Sequence, residues 1–242
     1  MLSKNQLKYI QSLGQKKPRD EANLFIAEGP KLVKELLASP NCKVVQVYAL
    51  AEWIKNNPAV RADIIEINQQ ELEKISHLAT AHQVLAVVEK IKWKGEPQFH
   101  GTLSLLLETI QDPGNMGTII RVADWFGIKN VFCSPDCAGI YNPKVVQATM
   151  GSIARVRIEY CSLPEFLKKH NDIRSYAAVL DGRDITKMEK PGEGFIIIGN
   201  ESKGISAELL GLANVRITIP GKGNTESLNA AIATGIILSH FV

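Results

Sequence analysis

The chain carries only four cysteines in 242 residues, and of Cys42, Cys133, Cys137 and Cys161 only the middle two are close neighbours. No second Cys or His pair lies near them to complete a tetrahedron, so reduced core thiols are expected and no metal site. No apolar run approaches the ~20 residues of a membrane-spanning helix; the run at 230–238 is far too short. The opening Met1-Leu-Ser-Lys-Asn-Gln is polar, without the basic-apolar-small pattern of a secretory signal, so a cytoplasmic protein with no membrane partner is expected. The Walker spacing is absent, as is Gly-x-Gly-x-x-Gly after a strand, which disfavours a nucleoside triphosphate or a dinucleotide. Neither sign of charge dominates: 28 Lys and Arg face 25 Asp and Glu, for a net +3. That total suits a polyanionic partner only if it is concentrated on one face.

What is present describes an ordinary globular protein, with 45% hydrophobic and 22% charged residues. Its length allows two modest domains or one large one. The first part alternates strand and helix patterns: strands near 24–29, 44–49, 63–67 and 83–89, helices near 31–38, 52–56 and 69–78. Residues 90–101 lose periodicity and gain Gly, Pro and charge, which reads as a linker. The expected domains are 1–92 and 101–242. In the second, strands near 103–108, 130–133, 156–159, 176–180, 195–198 and 215–219, several of them nearly all apolar, alternate with helices. That order predicts an α/β fold with a mainly parallel sheet and helices on both faces.

The N-terminal 34 residues hold Lys4, Lys8, Lys16, Lys17, Arg19, Lys31 and Lys34 against Asp20, Glu21 and Glu28. Such a segment is either a phosphate-contacting arm, with Lys16, Lys17 and Arg19 as its RNA-binding residues, or a solvated helix face.

Three strand-loop-helix stretches carry the chemistry. In Gln111-Asp-Pro-Gly-Asn-Met-Gly-Thr-Ile-Ile-Arg121, Asn115 is an expected N-cap and Arg121 falls in the second turn, beside a potential anion site. In Gly199-Asn-Glu-Ser-Lys-Gly204, a buried strand emerges into a turn that presents Asn200 and Glu201, with glycine allowing close approach of a flat ligand. In Ile219-Pro-Gly-Lys-Gly-Asn-Thr-Glu-Ser-Leu-Asn229, a Gly-rich loop leads to an apolar helix that Ser227 is placed to cap. Together the strand ends deliver Asn, Glu, Ser, Asn and Arg but no His or Cys, so a conventional nucleophile-base pair is missing.

In order, spacing and context these stretches resemble the three motifs of the SpoU (TrmH-like) RNA ribose 2′-O-methyltransferases of the SPOUT class. Asn115, Gly117 and Arg121 match the first motif, Gly199-Asn200-Glu201 with Gly204 the second, and Ile219-Pro-Gly with Ser227-Leu-Asn229 the third. Residues 1–90 resemble more loosely a substrate-binding domain of ribosomal-protein L30e type, chiefly through Phe25-Ile-Ala-Glu-Gly29. The resemblance implies a C-terminal trefoil knot and S-adenosylmethionine held by Gly199, Ile219, Leu228 and Asn229, with no metal. It also implies a homodimer with active sites at the subunit interface, and Arg121, Asn115, Glu201, Ser227 and Asn229 as the catalytic set. Arg121 matches the family's proposed general base; since a guanidinium stays protonated, electrostatic stabilisation of the developing alkoxide is the better physical role. Ribosomal RNA is the first expected substrate and tRNA the second. A non-catalytic RNA-binding assembly factor is the alternative of a different class, against which the intact Arg121, Glu201 and Asn229 argue.

Overall fold

The computed structural model describes residues 1–242, which divide into two compact units: 1–94 with 140–155, and 95–139 with 156–242. In chain order the elements are α1 (Lys4–Ser12), α2 (Lys16–Ala22), β1 (Leu24–Glu28), α3 (Pro30–Ala38), β2 (Val44–Ala49), α4 (Ala51–Lys55), β3 (Ile64–Glu66), α5 (Gln69–Ile75) and β4 (Val84–Glu89). There follow β5 (Leu103–Leu107), α6 (Pro113–Trp125), β6 (Asn130–Cys133), α7 (Pro143–Thr149), β7 (Arg157–Tyr160), α8 (Leu163–Lys169), β8 (Ser175–Asp184), β9 (Gly194–Ile198), α9 (Ala207–Leu212), β10 (Val215–Thr218) and α10 (Ala230–Phe241). None of these helices is long and apolar enough to cross a membrane.

The first unit is a four-stranded mixed sheet in the order β1-β4-β2-β3, antiparallel except between β2 and β3. Strand periodicity sends alternate side chains to opposite faces, and both faces are covered. Phe25, Ala27, Val47, Ala49, Val84, Ala86 and Val88 pack with Leu32, Leu36 and Trp53 on one side. On the other, Ile26, Tyr48, Leu85 and Val87 pack with Ile10, Leu13, Leu72 and Ile75.

Residues 140–155, which the sequence division assigns to the second domain, belong to this first core. Val146, Ile153 and Ala154 are buried in the cluster around Phe25 and Val33. Tyr141 lies 4.8 Å from Phe25, ring centre to ring centre, and its hydroxyl accepts the Ile91 N–H at 2.8 Å. Burial pushes the Tyr141 phenol up to about 12. Asn41 donates to the Ala154 carbonyl at 3.0 Å, and Arg155 pairs with Glu35 at 2.6 Å.

The N-terminal segment also departs from expectation. The stretch 16–22, unassigned from sequence, is helical, and Arg19 is only 5% exposed. Its guanidinium donates to the carbonyls of Leu13 and Gly14 at 3.1 and 2.5 Å, closing the C-terminal end of α1. Arg19 is therefore not available to a phosphate, whereas Lys16 and Lys17 are exposed on the same helix.

The second unit is a six-stranded parallel sheet in the order β10-β8-β9-β5-β6-β7. β5 and β9 are buried at every residue, as central parallel strands covered on both faces must be. The chain steps outward from β5 through β6 to β7, then returns so that β9 lies directly beside β5. That reversal is a topological switch point, where loops leaving the strand C-termini open a crevice. β8 runs further than expected, to Asp184, because Ile217 and Thr218 pair with Arg183 and Asp184. The register jumps there, and Gly182 lies so close to Ile217 that a Cβ would sit 2.5 Å from its carbonyl carbon.

Candidate active site

Three loops leave the C-terminal ends of β5, β9 and β10 and meet at the switch point. In the first, the N-cap of α6 is Asp112, not Asn115: Asp112 Oδ1 accepts the Asn115 N–H at 2.8 Å, with Pro113 opening the helix. The Asp-Pro pair is the signal for this, since proline's fixed φ and missing N–H suit the first helical position. Asn115 is thereby released from capping, and its side chain projects from the first turn toward the other loops.

The second loop is a tight turn closed by Asn200 and Gly204. Asn200 N donates to Gly204 O at 3.0 Å, Gly204 N to Asn200 O at 2.9 Å, and Asn200 Oδ1 accepts from Ser202 N and Lys203 N. Gly199 has no room for a side chain, since a Cβ would lie 2.5 Å from the backbone of Gly204. The turn holds Glu201 at its exposed tip.

The third loop, 219–229, is an irregular segment, exposed from residue 220 onward, and ends at Asn229. Asn229 rather than Ser227 caps α10: its Oδ1 accepts the N–H groups of Ala231 and Ile232 at 3.0 and 3.3 Å. With Oδ1 committed to the helix, Nδ2 points away from it, to Asn115 Oδ1 at 2.8 Å and Glu201 Oε1 at 3.1 Å. Asn115 Nδ2 also donates to Glu201 Oε1, which accepts the Ala230 N–H at 3.4 Å as well. The carboxylate thus sits at the N-terminal end of a 12-residue helix, where the unsatisfied N–H groups favour negative charge.

One residue from each loop therefore enters a single hydrogen-bonded cluster of Asn115, Glu201 and Asn229. Beside it is a recess of about 220 Å³, lined by residues 109–112 with Asn115, Asn200, Glu201 and Ser202. The wider hollow of about 490 Å³ near Met1 and Leu50, in the first unit, contains none of the motif residues.

The remaining expected site residues are placed differently. Arg121 is exposed on α6 and makes no hydrogen bond or ion pair within the chain. Ser227 is exposed in the third loop and bonds to nothing there. Gly199 and Ile219 are half-buried at the strand ends, and Leu228 is 44% exposed. Sequence reasoning passed over Asp112 as the helix cap and Asn200 as the turn's organiser. A side-chain amide two or three residues ahead of exposed N–H groups is the signal that finds the second.

Similarity to known proteins agrees with this geometry. Residues 102–239 match the SpoU rRNA Methylase family, and residues 4–86 match an MRM3-like substrate binding domain. Over 243 residues the chain is 29% identical to the 23S rRNA (guanosine(2553)-2′-O)-methyltransferase RlmP of Bacillus subtilis, covering 98% of this chain and 96% of the relative. A solved structure assigned to the TrmH family of RNA methyltransferases, from Porphyromonas gingivalis, is 37% identical with a TM-score of 0.89, covering 100% of this chain and 98% of that one. An AdoMet-bound rRNA methyltransferase from Sinorhizobium meliloti is 28% identical with a TM-score of 0.85, covering 100% and 96%. Two halves matched in order, with the motif loops assembled at one sheet edge, make this chain a member of the SpoU rRNA methylase family.

Proposed function

We propose that this protein is an S-adenosylmethionine-dependent RNA methyltransferase that methylates a ribose 2′-OH of ribosomal RNA. The observation that carries the reading is the cluster of Asn115, Glu201 and Asn229, drawn from three loops and closed at the C-terminal edge of a parallel sheet. The 23S rRNA activity of the Bacillus subtilis relative supports the substrate, and the AdoMet-bound Sinorhizobium meliloti structure supports the cofactor.

The residues present fit that cofactor. Gly199, packed against the Gly204 backbone, leaves a flat surface at the end of β9. Leu180 is 76% exposed, and its carbonyl accepts from Thr218 Oγ1 at the base of the third loop. With Ile219 and Leu228 it offers apolar surface for an adenine ring, while the exposed backbone of 219–229 offers hydrogen bonds to its edge. Bound there, S-adenosylmethionine supplies an electrophilic sulfonium methyl group.

The protein's part is alignment and charge. Glu201 and the two asparagine amides fix the three loops, so the ribose hydroxyl is presented in line. Arg121 holds the RNA phosphate and stabilises the alkoxide as the hydroxyl proton passes to solvent water. Ser227 and Asn229 orient ribose and cofactor. Since Arg121 has no partner in its own chain, a second subunit completing the site is part of the reading. Trp125 and Ile232, on the packed helices α6 and α10, are 85% and 56% exposed, which supports a homodimer through that face. Lys16 and Lys17 supply RNA affinity from the first unit, the whole acting in the cytoplasm with its C-terminal segments knotted.

Incubation with labelled methyl donor and separated ribosomal and transfer RNA, followed by mapping of nuclease-resistant dinucleotides, tests this. The expected product is a single 2′-O-methylated nucleotide in ribosomal RNA. Product in tRNA alone would reassign the substrate; no product on any RNA, with cofactor bound, would overturn the enzymatic reading.

A further inference from the structure

Immediately before the first motif stands Thr109, a β-branched residue with φ of +57°. Side chains branched at Cβ are strongly disfavoured in that region, and they persist there only when their surroundings dictate it. The surroundings here are the segment 134–138, which follows β6. Thr109 N donates to Ser134 Oγ at 2.9 Å, and Thr109 Oγ1 donates to Asp136 Oδ2 at 2.7 Å. Ser134 Oγ in turn donates to Asp136 Oδ1 at 2.5 Å. The next residue is held as firmly: Ile110 N donates to Cys137 Sγ at 3.2 Å, and Ile110 O accepts from Ala138 N at 2.8 Å.

One group of this pair faces the other way. The Thr109 carbonyl accepts from Asn200 Nδ2 at 2.9 Å, and Asn200 is the residue whose Oδ1 shapes the turn that carries Glu201. We propose that Thr109 is a positioning residue for methyl transfer: locked left-handed by Ser134 and Asp136, it aims its carbonyl at Asn200 and so sets where Glu201 meets Asn115 and Asn229. The inference rests on the function proposed above and adds a clasp to it, built from residues outside the three motifs. The hydroxyl matters because it holds the backbone in an unfavourable conformation, and the carbonyl is the working group.

This separates positioning from packing. Thr109→Val keeps the volume but loses the bond to Asp136, so the backbone relaxes and the carbonyl swings off Asn200. Thr109→Gly loses the whole side chain but adopts positive φ freely. Turnover in the full-length protein should fall about 10-fold or more in Thr109→Val and stay within about 3-fold in Thr109→Gly, with the Michaelis constant for RNA unchanged in both. Amide hydrogen exchange at Ser202 and Lys203 should quicken about 10-fold in the Val variant only. A packing role predicts the opposite order, with Gly the worse; that order, or unchanged exchange in Val, overturns the clasp. If Thr109→Val does not fold, Asp136→Ala removes both acceptor oxygens and breaks the same lock from the other side, and unchanged exchange and turnover there overturn it equally. Wild-type protein that methylates no RNA would sink the proposed function, while the exchange measurement would still decide the clasp.

Discussion

Asn229 Nδ2 donates to Asn115 Oδ1 across 2.8 Å, joining residues 114 positions apart in the chain. Each amide works at two tasks that its orientation couples. Asn229 can reach Asn115 and Glu201 because its other end is fixed by the first turn of α10.

That coupling is measurable. Asn229→Ala should lower turnover by about 10²-fold through misplacement of the loops and cost about 1 kcal/mol of stability through the lost cap. Asn115→Ala should lower turnover comparably with little change in stability, since Asp112 holds that helix end. The double variant should lose little more turnover than the worse single one, because the pair acts as a unit. Strictly additive losses would show the two residues acting separately.

Arg121 separates chemistry from stability. It is exposed and unpaired within the chain, so Arg121→Ala should leave the urea midpoint almost unchanged, within about 0.5 kcal/mol. Cofactor affinity by calorimetry should survive while turnover falls steeply. Arg121→Lys should rescue poorly, because an ammonium lacks the planar fork. Near-normal turnover in the Ala variant would remove Arg121 from the mechanism.

The two kinds of basic residue in α2 should behave oppositely. Replacing Lys16 and Lys17 with Ala should flatten the salt dependence of RNA binding, by up to about one unit of slope for each phosphate no longer neutralised, with stability unchanged. Arg19→Ala should leave the slope alone and destabilise by about 1–3 kcal/mol, since the carbonyls of Leu13 and Gly14 lose their donor. Filter binding at several salt concentrations, paired with urea unfolding, reads both.

The thiols behind the first motif make stability depend on pH. Hydrogen bonding from Cys133, joined by Ser134 and the Ile110 N–H, outweighs burial and brings Cys137 from 9.0 down to about 7. Between those values the folded chain has released a proton that the unfolded chain keeps, so stability rises from about pH 7 to pH 9 and is lost again as pH falls through 7. Burial pushes Cys133 well above 9.0, so its opposite contribution begins only past that point. Under reducing conditions the urea midpoint of the wild type should rise across that window relative to Cys137→Ser. Parallel pH profiles would refute the assignment.

Much of this was legible in sequence because it rests on local or periodic features. Alternation in 44–49 and the apolar run 84–88 announced two strands of the first sheet, and the apolar runs 103–107 and 195–198 announced central parallel strands. The loops that carry Asn115, Glu201 and Asn229 could be located in advance because each follows a strand and is marked by Gly or Pro, and the three residues were singled out by their match to the family motifs. Capping was misread where two candidates competed: Ser227 has a good capping hydroxyl, but the helix starts at Ala230, and only Asn229 lies against its first free N–H groups.

By itself, the sequence determined the order and type of most strands and helices, since each follows from a residue's own backbone preference and its immediate apolar period, though not helix 16–22 or the far end of β8. Tertiary structure alone decided the placements that depend on distant partners. Residues 140–155 read as part of the second domain until Tyr141 reaches Phe25. Thr109 reads as an ordinary strand end until Ser134, Asp136 and Asn200 close around it. These interactions join segments that have no local preference for one another. They form only once the sheet order has brought the segments together, because burying a polar group is tolerable only when a partner from elsewhere in the chain is already in place.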